Sequence, residues 1–450
     1  MSDRLDAHIE HVELSVVSER QKLVLILLAC AAAFGVGLRV SLPLSLTPAV
    51  VIGVALAPVW LSSLSQFAHA RLITVGAFLA VFNGLVLTAL ASTTERIDSG
   101  ERLALTFMIL TIFVGAGVLL WARTLIGAVP VVLLFSVAAA ATISRSNAGV
   151  MLNPWKFGYS IPITLFVLAL AWQSRKLWVE LLALAVLAVI GMANDSRSYF
   201  AMLLVAGVVI VWQRLATKLA GKSLMFSVAG LGIGAIAVYL AASQLALRGA
   251  LGEQAAARTQ MQMERSGSLL LGGRPELSAT LALMRERIWG YGLGRMPNWD
   301  DVATAKTGMA RAGYDPNNGY VERYMFGGRF EVHSLFGDFW IHLGIVGLAL
   351  IVYVGVVCLV GVALRVRANV VSALEVFIAI NMVWNIAFSP LYSSIPLATV
   401  GIAVLLWPRG SLAAVKDDEE SPGDSPRVSV DDGHVRAQFG SEEFRPATTH

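Results

Sequence analysis

The stretch from Leu335 to Ala363 reads LFGDFWIHLGIVGLALIVYVGVVCLVGVA. It contains one acid, Asp338, and no lysine or arginine. About 20 consecutive apolar residues cross a bilayer as a helix, and a helix satisfies its own backbone where there is no water. This run exceeds a single crossing, so its first turns stand proud of the membrane or the helix tilts strongly.

Comparable runs recur along the chain. The pattern predicts spans at 21–38, 44–62, 71–91, 103–121, 125–143, 158–173, 177–193, 199–213, 223–243, 335–363, 370–388 and 393–407. Composition agrees: 56% of the 450 residues are hydrophobic and 14% are charged, with a mean hydropathy of +0.70. A soluble domain carries about 25% charged residues. The expected fold is an all-α polytopic membrane protein of about 12 transmembrane helices with one large helical extracytoplasmic loop. Residues 1–20 form a cytoplasmic N-terminus, 21–243 the first nine spans, 244–333 the loop, 334–407 the last three spans and 408–450 a disordered acidic tail. The first apolar run follows polar residues that include Asp3, Asp6, Glu10, Glu13 and Glu19, so 21–38 reads as an uncleaved span.

The net charge of +4 is unevenly placed: residues 411–450 carry nine acids against four basic side chains. That distribution fits basic helix flanks and an acidic tail, and it does not suggest nucleic-acid binding. With the N-terminus inside, short inner connections hold nine Lys and Arg against six outside, a bias in the sense of the positive-inside rule. The two cysteines, Cys30 and Cys358, sit in apolar runs and suggest neither a disulfide nor a metal cluster. No cofactor is expected.

Between 244 and 333 lie ten arginines and one lysine against nine acids. Guanidinium stays charged and grips phosphate through a planar fork. Outside the cell there is no ATP or nucleotide sugar, so an outward enzyme that builds glycans needs a donor activated in advance. A lipid-linked diphosphate sugar is such a donor, and its diphosphate calls for arginines. Within this loop, Gly272-Gly-Arg-Pro-Glu-Leu277 opens a helical pattern and puts Arg274 just before a helix N-terminus, where backbone N–H groups face an anion. The helix runs into Trp289-Gly-Tyr-Gly-Leu-Gly294, whose alternate glycines allow tight turns and close backbone approach.

Two further positions stand out. In Gly191-Met-Ala-Asn-Asp-Ser-Arg-Ser198, Arg197 occupies a tight outer connection; a charge at membrane depth is a functional candidate, and also a helix-end anchor whose side chain snorkels to water. The loop closes at Glu331-Val-His-Ser-Leu-Phe-Gly-Asp338, where His333 is the one histidine expected on the outer face. It can take a proton near neutral pH and activate a hydroxyl as general base. His342, nine residues later and on the opposite helix face, reads as packing. Asp300-Asp301 is the one acidic pair that would suit a metal, and adjacent loop acids are usually solvated.

These pieces, in this order, resemble the O-antigen ligase superfamily of bacterial membrane glycan transferases, which also includes O-antigen polymerases and protein O-oligosaccharyltransferases. Ser196-Arg197 is similar to the family's short outer Ser-Arg motif. Gly273-Arg274 with Gly290-Tyr-Gly-Leu-Gly294 looks like its Ser-Gly-Arg helix and Gly-x-Gly-x-Gly turn. His333-Ser334 followed by Gly344-Ile-Val-Gly347 looks like its His-Asn loop end and next span. The likeness covers roughly residues 180–365. Ser334 stands where members commonly carry Asn, and Gly272 where they often carry Ser.

The resemblance implies a metal-independent, inverting glycosyltransferase of the bacterial inner membrane, with its site on the periplasmic face. Arg197 and Arg274 would hold the diphosphate of a polyprenyl-linked glycan, and His333 would deprotonate the acceptor hydroxyl. Ser196, Tyr291 and Ser334 would join them as substrate-contacting positions. The partners implied are that donor, a lipid-linked or polysaccharide acceptor such as lipid A–core, and membrane lipids. An envelope polysaccharide polymerase of the same superfamily is the alternative within this reading. A transporter or flippase is the alternative outside it; its charges should line the helices at mid-bilayer, and no matched pair of interrupted helices is evident in the two halves.

Overall fold

The computed structural model describes residues 19–219, 260 and 274–410. The expected span at 223–243, the first part of the loop, the N-terminal residues 1–18 and the tail from 411 onward lie outside the described residues.

Every regular element among the described residues is helical. In chain order they are α1 Glu19–Gly37, α2 Pro48–Ala55, α3 Ala57–Ser63, α4 Ala70–Ala91, α5 Ser99–Ile126, α6 Ala128–Ala141, α7 Ala148–Leu152, α8 Ser160–Gln173, α9 Leu177–Ala193 and α10 Arg197–Leu219. Then follow α11 Glu276–Glu286, α12 Trp299–Arg311, α13 Leu335–Arg367, α14 Ala373–Phe388 and α15 Leu391–Leu405. Single π-turns at Trp155–Tyr159 and Val321–Met325 precede α8 and close the segment after α12.

Local sequence explains where many of these helices begin. Asp98 caps α5 by accepting from the Glu101 N–H, and Ser334 caps α13 by accepting from Gly337. Asn298 with Asp301 and Ser372 with Glu375 form reciprocal capping boxes at α12 and α14. Helix α5 is the central member, buried over most of its length and packed by α1, α2 and α15. Small residues permit the close approach: a side chain at Gly117 would run into the ring of Trp60. On the outside, α4 exposes Leu72, Val75, Leu79, Phe82, Val86 and Leu90 along one stripe. An apolar stripe of that length facing outward is what a lipid-facing helix carries.

Eleven of the twelve expected spans coincide with apolar helices, and the twelfth lies outside the described residues. Among the described residues, six helices are long and apolar enough to cross a membrane: α1, α4, α5, the Trp155–Gln173 helix, α10 and α13. The 44–62 expectation is replaced by α2 and α3, which meet at 85° and make a seventh crossing only as a broken pair. Pro58 is one cause, since it lacks an N–H to continue the ladder. The Gly53 carbonyl at the break accepts the Trp60 indole N–H at 2.7 Å. Helices α6, α9, α14 and α15 have 14, 17, 16 and 15 residues. At 1.5 Å per residue these fall short of a hydrocarbon core about 30 Å thick.

The over-long run also has an explanation. Gly344 interrupts α13 with φ +67°. The turns before it are packed inside protein, with Leu335 and all of Gly337–Gly344 buried, and the apolar length after it accounts for one crossing.

Candidate functional site

Residues 274–333 build an apolar core of their own. Leu283 of α11, Met309 of α12, Tyr291, Met325, Phe330 and Val332 are buried together with Trp340 from the first turns of α13. The Gly290–Gly294 turn fits this core against the helices. Its three glycines have φ of +90°, +93° and +72°. A Cβ at Gly290 would lie 2.5 Å from the Trp340 carbonyl, and one at Gly292 2.7 Å from the Thr88 nitrogen of α4. The turn is thus wedged between the end of α4 and the break in α13.

A buried ion cluster secures the same region. Arg295 lies over the rings of Tyr291 and Phe330 at 4.8 and 5.5 Å. It pairs with Glu95 at 2.9 Å and with Asp301 at 2.8 Å. Burial works against the charge on Arg295, but the two carboxylates outweigh it and raise its pKa. Burial would likewise push the Glu95 carboxyl up, yet Arg295, helped by Arg287 and Asn298, holds it below the usual carboxylate range. Asp301 is committed to this pair and to the cap of α12, while Asp300 is exposed. Among the described residues no group of three His, Cys, Asp or Glu is placed to hold a metal ion.

Arg274 and His333 are linked through residues that the sequence did not single out. The Arg274 guanidinium lies over Trp384 and Phe388, 5.4 and 5.7 Å from their ring centres, and donates to the Phe388 carbonyl at 3.2 Å. Among the described residues that bond uses one of its five N–H donors. Two residues on, buried Glu276 starts α11 and accepts from the Tyr320 hydroxyl. The Tyr320 ring in turn lies 6.3 Å from the His333 ring. Burial, then the negative charge of Glu276, keeps the Tyr320 hydroxyl protonated well above the ordinary tyrosine range, with Arg274 opposing.

His333 is half-buried and has φ +58°, a left-handed conformation that few residues other than Gly adopt. Such an outlier points toward function when its surroundings hold it in place. Its Nδ1 is 3.0 Å from the Glu331 carbonyl. A carbonyl only accepts, so Nδ1 is assigned the proton and Nε2 keeps its lone pair. Ser334 is buried and used as the α13 cap. Tyr291 is buried in the segment's core with its hydroxyl aimed at the Leu283 carbonyl, so in this structure it faces packing rather than a cleft.

Arg197 enters by a different route. It begins α10, half-buried, after a turn in which Asp195 has φ +50°. Ser196 is buried and its Oγ donates to the Asn194 carbonyl at 3.3 Å. Asn153 and Lys156 clamp that turn by donating to the carbonyls of Asn194 and Asp195. Tyr199, half a turn further, packs on Phe377 of α14. Phe377 precedes Phe388, the contact of Arg274, by eleven residues, about 16 Å along a helix axis.

The missed residues had weak signals. Trp384 and Phe388 are an i, i+4 aromatic pair in an apolar run, and Tyr320 follows the turn-forming Asn317-Asn318-Gly319. Glu276 reads from sequence as a first-turn acid and nothing more. No protein-family model, curated protein or solved structure matches this chain.

Proposed function

We propose that this protein is a membrane glycan transferase of the O-antigen ligase kind. It moves a glycan from a polyprenyl diphosphate carrier to an acceptor hydroxyl on the outer face of the bacterial inner membrane. The supporting observation is that the Tyr320–Glu276 pair links Arg274 to His333, whose Nε2 has no hydrogen-bond partner among the described residues. In the reaction, Nε2 of His333 takes the acceptor proton and the acceptor oxygen attacks the anomeric carbon. The bond to the diphosphate oxygen breaks, and the electron pair stays on the diphosphate, where Arg274 and Arg197 stabilise it. Twelve crossings, with residues 244–333 as an outward loop, belong to this proposal.

The test is transfer by the purified chain in lipid nanodiscs, with a polyprenyl-diphosphate-linked glycan as donor. Arg197→Ala, Arg274→Ala and His333→Ala should each abolish transfer with folding retained, and full activity in all three sinks the proposal. Glycan analysis of a deletion strain separates the two activities of this kind: a ligase loses long chains from their lipid anchor, whereas a polymerase leaves chains capped at one repeat.

The 85° break between α2 and α3 favours a second reading, a transporter or flippase, since broken helices shape many transport sites. Against it, the Gly53 carbonyl at that break is already taken by Trp60. Lipid translocation by the purified protein that survives loss of His333 would support transport.

A further inference from the structure

Asp338 is the one charged side chain in the first turns of α13, and it is 2% exposed. Its two carboxylate oxygens serve two different elements. One accepts from the Val332 N–H at 2.9 Å, and the other from the Leu391 N–H at 2.7 Å. The two N–H donors approach different oxygens, and among the side chains only a carboxylate brings two acceptor oxygens; Asn brings one. A carboxylate this deeply buried is costly unless its hydrogen bonds are specific and complete.

Both donors adjoin the site. Val332 immediately precedes His333, the residue held at φ +58°. Leu391 opens α15, three residues after Phe388, whose carbonyl receives Arg274. A continuous path therefore runs from His333 through Val332, Asp338 and Leu391 to the 388–391 turn and Arg274. We propose that Asp338 is the positioning residue of this site, one buried carboxylate that fixes His333 in register with the turn that holds Arg274. The inference rests on the glycan-transfer reading for its kinetic consequence but not for its structural one. If Asp338 serves only as a helix cap, its loss lowers stability and leaves His333 as it was.

The experiment uses the full chain in lipid nanodiscs and two variants. Asp338→Asn replaces one of the two acceptor oxygens by an NH2 that faces an N–H donor. Leu391→Pro removes the second donor, with Leu391→Ala, which trims the same buried side chain and keeps the N–H, as its control: Pro suits the first helical position, and Pro390 already has φ −66° and ψ 155°, which a following proline tolerates. Two readouts are taken. One is the rate at which diethyl pyrocarbonate modifies His333 relative to exposed His69 in the same sample, read by peptide mass spectrometry. The other is transfer kinetics with a polyprenyl-diphosphate-linked glycan.

Asp338→Asn should raise the His333 to His69 ratio and lower kcat by about tenfold to a hundredfold with KM little changed, the signature of a misplaced catalytic group. Leu391→Pro should move both in the same direction by less. Folded variants with unchanged ratio and unchanged kcat overturn the inference. If Asp338→Asn fails to fold, Leu391→Pro decides alone. If wild type transfers nothing, the glycan-transfer reading falls and the modification ratio still decides the positioning role.

Discussion

The Tyr320 ring lies 6.3 Å from the His333 imidazole while its hydroxyl donates to Glu276. One side chain thus touches both the proposed base and the acid that starts α11. Tyr320→Phe keeps the ring and strips Glu276 of this donor; the other Glu276 oxygen has no partner among the described residues. A buried carboxylate losing its donor should destabilise by about 1–3 kcal/mol, visible as a lower unfolding midpoint. Transfer should fall less than in Tyr320→Ala, which also removes the ring. Equal loss in both would shift the role of Tyr320 from packing to its hydroxyl.

Arg274 combines two aromatic faces with one carbonyl. Arg274→Lys keeps the charge and loses both the planar stacking and the bidentate fork. It should therefore behave closer to Arg274→Ala than to wild type, with kcat down by about 100-fold or more if the guanidinium stabilises the leaving diphosphate. Wild-type transfer by the lysine variant would show that charge alone suffices.

The Glu95–Arg295 pair carries a pH signature. The folded Glu95 carboxyl titrates below its ordinary value because Arg295 and its neighbours overcome burial. Its contribution to stability is full above the ordinary carboxylate value, about 4.3, and is lost as the pH falls through the lower folded value. The gap in unfolding midpoint between wild type and Glu95→Gln should be wide at neutral pH and close in strong acid. A gap independent of pH argues against the pair. Arg295→Ala leaves two carboxylates facing each other and should cost about 3–5 kcal/mol.

Gly344 has φ +67°, and a Cβ there would stand 2.5 Å from the Trp289 carbonyl. Gly344→Ala should destabilise by about 1–3 kcal/mol from backbone strain alone, more if the 289–294 turn is displaced. Limited proteolysis should then find that turn in the variant and spare it in wild type. Equal resistance in both would mean that α13 adjusts without moving the turn.

Much of this architecture was written locally. Runs of apolar residues announce the helices, since hydropathy is a property of each residue and its nearest neighbours along the chain. Asp98, Asn298, Ser334 and Ser372 mark helix starts because a cap acts within one turn. Gly290, Gly292 and Gly294 announce a tight turn for the same reason. Residue chemistry alone singled out Arg274 and His333. Other features depended on what lies across the fold. The breaks at Leu56 and Gly344 decide how much of each apolar run can cross a membrane, and they depend on Trp60 reaching Gly53 and on the 289–294 turn wedging against α13. Arg274 meets Phe388 across 114 residues, and Asp338 meets Leu391 across 53. Periodicity and capping extend over a turn or a helix, so they carry no information about such pairs. Packing brings Tyr320 to His333 and Asp338 to the 388–391 turn, and so it was tertiary structure that decided which polar residues share a site.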